Sequence, residues 1–235
     1  MEIRIFDLVS GARQATGLTV VIDVFRAFSL EAYLFSKGVS RIYPVGSIEE
    51  AFEMKRQNPG CILIAERGGL KYPGCDFGNS PSAFEKIELQ GKTVIHTTSA
   101  GTQGIDNAVN ADEIIPASFV NAKATAEYIL ERNPKTVSLV CMGNGGQMPS
   151  DEDSLCAEYL KSLLEGKKIS DIEERLLALK DTDGKRFFNE DTQDSMPKQD
   201  FWMCIRRDIF PFVIKTFKEE GRNVNRMLTD DKQAS

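Results

Sequence analysis

The stretch "LTVVIDVFRAF", residues 18–28, decides how the rest of the chain is read. Its first half is a short run of apolar and β-branched residues, the composition of a strand buried on both faces. Asp23 and Arg26 interrupt it, and a helical pattern begins at Ala27. A strand that stops at an acid and turns straight into a helix is half of a βαβ unit, and the same succession recurs along the chain. Further strand-like runs are "RIYPV" (41–45), "CILIAE" (61–66), "KTVIHTT" (92–98), "DEIIPA" (112–117) and "TVSLVCMG" (136–143). Helical patterns are predicted at 27–36, 47–57, 102–108, 121–132 and 152–164, and Ser47 with Glu50 forms a capping-box pattern at the start of the second. The alternation predicts an α/β fold: three α/β/α layers with a largely parallel or mixed central sheet.

Beyond Gly166 the pattern changes. "SDIEERLLALK" reads as an amphipathic helix, "DTDGKRFFNEDTQDSMPKQD" as a long exposed connection, and "FWMCIRRDIFPFVIKTF" as a final helix plus strand on the same core. Neither a repeat nor a low-complexity linker divides the sequence, so residues 1–235 are expected to form one domain or two closely packed α/β lobes. At 235 residues and 41% hydrophobic, the chain is long enough for one well-buried core.

The formal net charge of -6 argues against a nucleic-acid surface, which needs a basic face, but a single small anion can still be held in a locally positive site. No apolar run approaches the roughly 20 residues of a membrane span, and "MEIRIFDLVS" lacks a signal-peptide pattern, so a cytoplasmic protein is expected. The five cysteines, Cys61, Cys75, Cys141, Cys156 and Cys204, are odd in number and contain no CxxC pair, which reads as free thiols. Cys75, in a glycine-rich loop, is the one to consider as a nucleophile. With a single histidine, His96, a His-metal cluster is excluded, and a Ser-His-Asp triad would have to use a residue that reads as part of a strand.

In open parallel sheets, ligands bind outside the carboxyl ends of strands. The residues following the predicted strands are Asp23 and Arg26, Glu66 and Arg67, Thr97 through Gly104, and Gly143 through Asp153. Each group also has a structural role open to it. Asp23 can cap the following helix, Ser80 and Pro81 can start one, Asp76 and Asn79 can brace a turn, and the acids 151–153 suit a helix N-terminus. Their coincidence on one rim favours a site. An anion held there would be repelled by the acids unless a cation lay between them, and Mg2+ commonly uses one or two carboxylates with water and substrate oxygens. Carboxylates, arginines and amide-rich loops are the inventory of metal-assisted phosphoryl chemistry.

The pieces "VVIDVFRAF", "AERGGLKYPGCDFGNSPS", "KTVIHTTSAGTQGI", "ASFVNAKATAEYI" and "VSLVCMGNGGQMPSDEDSLCAEYL" resemble, in order and over roughly residues 18–165, the 2-phosphosulfolactate phosphatase family of coenzyme M biosynthesis. This chain reads "TTSAGT" where the family commonly reads Thr-Thr-Asn-Gly-Thr, which sets Ser99 in the asparagine's place. The resemblance implies an α/β/α fold and a Mg2+-dependent phosphatase that hydrolyses 2-phospho-3-sulfolactate to 3-sulfolactate and phosphate. It also implies a pocket lined by Asp23, Arg26, Glu66, Arg67, Asp76, Asn79, Ser80, Thr97, Thr98, Gly101, Thr102, Glu152 and Asp153.

On that basis Asp23, Glu152 and Asp153 are expected to bind Mg2+, and Arg26 and Arg67 to clamp the substrate's anionic groups. Thr97, Thr98, Ser99, Gly101 and Thr102 would cradle its remaining oxygens, while Glu66 serves as acid or base. An alternative makes Asp23 a covalent nucleophile, although "DVFRA" lacks the second aspartate two residues on that aspartyl-phosphate enzymes use. Rival readings are a non-catalytic binder of phosphorylated or sulfonated acids, a phosphatase for a related 2-phospho acid, and an isomerase or phosphotransferase. The expected partner is a small anionic phosphorylated substrate, with neither nucleic acid nor membrane. Phe210 and Phe212 are read as an exposed packing surface that would suit a homodimer.

Overall fold

A computed structural model describes residues 1–228. Strand β1 (Glu2–Asp7) leads through α1 (Leu8–Ala12) into β2 (Gly17–Ile22), α2 (Ala27–Ser36), β3 (Arg41–Pro44) and α3 (Ile48–Gln57). Then come β4 (Ile62–Arg67), the short β5 (Leu70–Lys71), a 3-10 turn (Pro81–Phe84), β6 (Thr93–Thr97), α4 (Gly101–Asn107) and β7 (Ala111–Ala117). Helix α5 (Ala122–Arg132), β8 (Thr136–Cys141) and α6 (Asp151–Leu164) follow. The chain ends with α7 (Ile172–Ala178), three 3-10 turns between 179 and 192, α8 (Lys198–Cys204), β9 (Ile214–Glu219) and β10 (Arg222–Met227).

All strands join one mixed sheet in the order β1-β8-β2-β7-β9-β10-β3-β6-β4-β5. The expected three-layer α/β architecture is present, and the sheet is of the mixed kind. Neighbouring residues on one strand serve opposite faces, as the pleat requires. Val20 and Ile22 pack with α5 and α6, while Val21 packs with Phe28, Ile105 and Val140. In the other half, Ile64 and Val94 pack under α2, while Leu63 and Ile95 pack under α3. Phe28, Phe35, Phe84 and Phe119 are fully enclosed, each contributing about 1.5–3 kcal/mol by leaving water.

The two parallel sets run in opposite directions. Strands β1, β8, β2 and β7 are mutually parallel, as are β3, β6 and β4, but the pairings β7/β9, β9/β10 and β10/β3 are all antiparallel. Three reversals leave the second set antiparallel to the first. The single carboxyl-end rim expected from the sequence is therefore corrected to two strand sets meeting across a central hairpin. Their ends converge because the helices cross over. Helix α2 leaves β2 but packs Leu30, Leu34 and Phe35 in the β3/β6 half, whereas α4 leaves β6 but packs Ile105 in the β2/β8 half. The starts of both helices thus lie between the halves.

The tail departs most from expectation. Its final strand is followed by another, and this β9/β10 hairpin occupies the middle of the sheet. The polar connection is wound into 3-10 turns that bury Gly184 and Phe187. Phe210 and Phe212 are half-buried rather than exposed: they stack at 5.4 Å and Tyr33 meets Phe210 edge-on at 4.9 Å. Ser47 does cap α3, accepting from the Glu50 amide at 3.2 Å, while its hydroxyl bonds Glu49 rather than Glu50.

Candidate active site

Between the two strand sets lies a cavity of about 280 Å³ lined by Asp23, Arg26, Glu66, Asn79, Ser99 and Arg186, with backbone from Gly68, Gly69, Gly143 and Gly145. Asp23 follows β2, and its Oδ1 accepts from the Ala27 amide at 3.0 Å, so the residue caps α2 and faces the cavity together. Burial raises its pKa to about 6; the Ala27 amide opposes this and the charge of Glu66 adds to it. Gly101 makes the close approach of α4 feasible, since a Cβ there would lie 2.8 Å from Asp23 Oδ2.

Glu66 ends β4. Its Oε1 accepts from the Gly69 amide and, at 3.3 Å, from the Ser99 hydroxyl, while Oε2 accepts from the Ser99 amide at 3.2 Å. A carboxylate offers about four lone-pair positions, so one is left toward the cavity. Positive φ at Gly68 and Gly69, 61° and 81°, lets the chain fold back over that carboxylate.

Both lining arginines are held, but differently. Arg26 is 4% exposed, and its Nη1 donates to Asp200 Oδ2 and to the Ser195 carbonyl, both at 2.8 Å, while Nη2 donates to the Gly69 carbonyl at 2.9 Å. The fork expected to clamp substrate instead ties three segments of the protein together. Arg186 donates to Asn144 Oδ1 and, at 3.3 Å, to the Phe25 carbonyl, and its buried Nε has no partner among the described residues. Arg186 was read from sequence as part of an exposed connection. Its only signal was a cation beside two aromatic residues, "KRFF", inside a stretch without periodicity. Asn144 fell within the rim segment Gly143 through Asp153 without being singled out, and Asp200 was missed because it belongs to no pattern and folding alone brings it in.

The remaining expected residues stand off the cavity. Arg67, next to Glu66 on the strand, points to the opposite face and donates to Thr97 Oγ1 at 2.9 Å and to the Gly46 carbonyl at 3.3 Å. Asp76 binds Lys55 Nζ at 2.7 Å and the Leu63 amide at 2.8 Å, which is the turn-bracing role. Ser80 makes no cap hydrogen bond and donates instead to Asp200 Oδ1 at 2.9 Å. Thr98 and Thr102 bond each other across the start of α4, with the Thr98 amide donating to Thr102 Oγ1 at 3.1 Å. Thr97 and Gly101 support the wall without lining it.

Asp153 accepts from the Val24 amide at 2.8 Å and the Gly143 amide at 2.7 Å, locking the β2 and β8 exits together. Burial, and then the charge of Asp23, raises its pKa to about 8. Glu152 lies 3.6 Å from Arg186, its Oε2 is buried without a partner among the described residues, and burial followed by the Asp153 charge raises its pKa well above the ordinary range. Asp23, Glu152 and Asp153 are thus not assembled as one metal centre; no group of three or more His, Cys, Asp or Glu residues of that kind occurs among the described residues. The cavity itself offers the carboxylates of Asp23 and Glu66 and the Ser99 hydroxyl, hard oxygens of the kind Mg2+ takes, while the amide oxygens of Asn79 and Asn144 are committed to His96 and Arg186.

Fold and cavity together define an α/β protein with a small polar cavity lined by two buried carboxylates and two arginines. The model of the 2-phosphosulpholactate phosphatase family matches residues 4–219, and the chain belongs to that family. It is 46% identical over 151 residues to a "Probable 2-phosphosulfolactate phosphatase" of Carboxydothermus hydrogenoformans, covering 64% of this chain and 62% of that protein. A protein of the same name from Caldicellulosiruptor saccharolyticus is 43% identical over 148 residues, 61% of each chain. Another from Bacillus subtilis is 30% identical over 206 residues, 87% of this chain and 88% of that one. The chain therefore spans about three fifths of the first two relatives and nearly nine tenths of the third.

Proposed function

We propose that the protein is a Mg2+-dependent phosphatase that hydrolyses the phosphate ester of a small 2-phospho acid, with 2-phospho-3-sulfolactate the substrate that the relatives' names point to. The observation that carries this reading is a small polar cavity in which two buried carboxylates, Asp23 and Glu66, share the lining with Arg186, whose side chain is 31% exposed.

Asp23 is the residue that would hold Mg2+, and the ion when bound supplies charge neutralisation for the phosphoryl oxygens. Arg186 holds an anionic group of the substrate, and Ser99 and Asn79 offer further polar contacts. Glu66, oriented by Ser99 and Gly69, accepts the proton of the attacking water through its remaining lone pair. Arg26 keeps the cavity wall in place without contacting the substrate. Among the described residues no helix is long and apolar enough to cross a membrane, and all five cysteines are free, which supports placing the enzyme in a reducing cytoplasm.

The test is phosphate release from 2-phospho-3-sulfolactate and from phospholactate, with Mg2+ or with chelator, for the wild type, Asp23→Asn and Glu66→Gln. The expected outcome is turnover that needs metal and falls by roughly 100-fold or more in either variant, with Mg2+ binding also lost in Asp23→Asn. Metal-independent turnover, or near-normal turnover in Asp23→Asn, overturns the proposal. Tight ligand binding without turnover would identify a binding protein instead.

A further inference from the structure

We infer that His96 is a positioning residue that aims the side-chain amide of Asn79 into the cavity, as the middle of a buried polar chain anchored in the C-terminal hairpin. The inference rests on the reading of that cavity as the substrate site. His96, the one histidine of the sequence, is 0% exposed and lies on β6 between its strand partners Pro44 and Ile64. A polar side chain set so deep among aliphatic neighbours costs stability unless each polar atom is matched. Here both ring nitrogens are. Nδ1 lies 2.9 Å from Glu31 Oε1, and Nε2 lies 3.1 Å from Asn79 Oδ1.

The chain continues away from the cavity. Glu31 Oε2 accepts from Asn225 Nδ2 at 2.7 Å, and Asn225 Oδ1 accepts from the Thr216 hydroxyl at 2.7 Å. Thr216 and Asn225 are directly paired across the hairpin, so their side chains share a face and the register fixes their meeting. Glu31 and Asn225 are fully buried, and Asn79, at 5% exposure, is the one member that also lines the cavity.

Donor and acceptor counting gives the chain a direction. Asn79 Oδ1 only accepts, so His96 Nε2 carries a hydrogen and donates it. The other hydrogen of the Glu31–His96 pair lies between Oε1 and Nδ1. With its oxygen committed to His96, the Asn79 amide turns its Nδ2 hydrogens toward the cavity, where they can donate to an anionic oxygen. Three distant segments, α2, β6 and the hairpin, thereby set the orientation of one amide.

A single histidine makes the test unambiguous. In wild-type protein labelled with 15N-histidine, NMR is expected to show a protonated, slowly exchanging Nε2; a bare Nε2 would mean that Asn79 is turned round and overturns the inference. The kinetic arm compares His96→Gln, whose side-chain amide can replace Nε2 as donor to Asn79, with His96→Asn, which reaches only Glu31. Expected is a loss of about tenfold in kcat/KM for His96→Asn, most of it recovered in His96→Gln. Asn79→Ala combined with His96→Asn should be no worse than Asn79→Ala alone. Additive losses, or equal losses in the two His96 variants at unchanged thermal stability, overturn it. The NMR reading and His96→Gln do not depend on His96→Asn folding. Should the wild type release no phosphate, the phosphatase reading falls, and the NMR result alone decides the orientation of Asn79.

Discussion

Arg26 and Arg186 both line the cavity, yet their bonding gives them different work. Every contact of Arg26 is to protein, and its buried pair with Asp200 also fixes Ser80 and Ser82, whose hydroxyls donate to Asp200 Oδ1 at 2.9 and 2.7 Å. Asp200→Asn should therefore act on stability, by about 3–5 kcal/mol in urea unfolding, because it leaves the guanidinium buried without its counter-charge. The Arg186 side chain is 31% exposed against 4% for Arg26, so Arg186→Gln should act on the ligand. KM is expected to rise about 10- to 100-fold with a much smaller fall in melting temperature, the range for losing a hydrogen bond to a charged group. Arg186→Lys should recover only part of it, since an ammonium lacks the planar fork. A KM unchanged in Arg186→Gln would remove Arg186 from the substrate site. The arginine that sequence reasoning chose, Arg26, was visible because it follows a strand. Arg186 was invisible because its place is fixed by tertiary contacts to Asn144 and Phe25 rather than by any local pattern.

Among the elements, α2, α3, α5 and α6 were legible to within a residue or so at each end, because α3, α5 and α6 carry a buried stripe and α2, buried almost throughout, begins just after the polar pair Asp23 and Arg26. The parallel strands were legible as unbroken β-branched runs. Strand β10, "RNVNRM", was not. It buries Asn223 and Asn225 in the centre of the sheet, where polarity normally argues for exposure, and it does so by pairing them with Asp106, Glu31 and Thr216. A signal was present in the two-residue connection: Glu220 and Gly221 have φ of 50° and 81°, the backbone of a tight hairpin. Helix α4 shows the reverse situation, a legible helix whose function lies in its first residue. An added methyl at Gly101 would meet Asp23 Oδ2 at 2.8 Å, Ala27 Cβ at 2.9 Å and Phe28 Cζ at 3.1 Å. Gly101→Ala should cost about 1–3 kcal/mol of stability by overpacking and reduce turnover at least about tenfold by displacing the carboxylate. Kinetics beside urea unfolding would show it. Full activity in a stable Gly101→Ala protein would mean that the position of Asp23 is not critical.

At the scale of the whole molecule, acids of two kinds set the pH response. Glu113 on β7 accepts from Tyr128 at 2.7 Å, Lys215 at 2.7 Å and Arg132 at 2.8 Å, tying α5 and the hairpin strand β9 to the first strand set. Burial raises its pKa, but the Lys215, Tyr128 and Arg132 bonds outweigh this and hold it at about 2, below the ordinary 4.5. The contribution of Glu113 is then fully present above pH 4.5 and is lost as the pH falls toward 2. Asp23 and Asp153 behave oppositely. Their pKa values rise from 3.8 to about 6 and about 8, so the folded state binds protons more tightly than the unfolded chain and stability declines as the pH climbs through those values. The melting temperature of metal-free protein should accordingly be highest in mildly acidic buffer, fall toward pH 8, and fall again below pH 4.5. Glu113→Gln should flatten the acid limb, and Mg2+ should reduce the loss on the alkaline side, because a cation at Asp23 replaces the proton. Melting curves across this range, with chelator and with Mg2+, decide the matter. A melting temperature that rises steadily from pH 5 to 8 without metal would show that the buried acids are compensated by a partner other than a proton, and the assignment of Asp23 as the metal-holding residue would go with it.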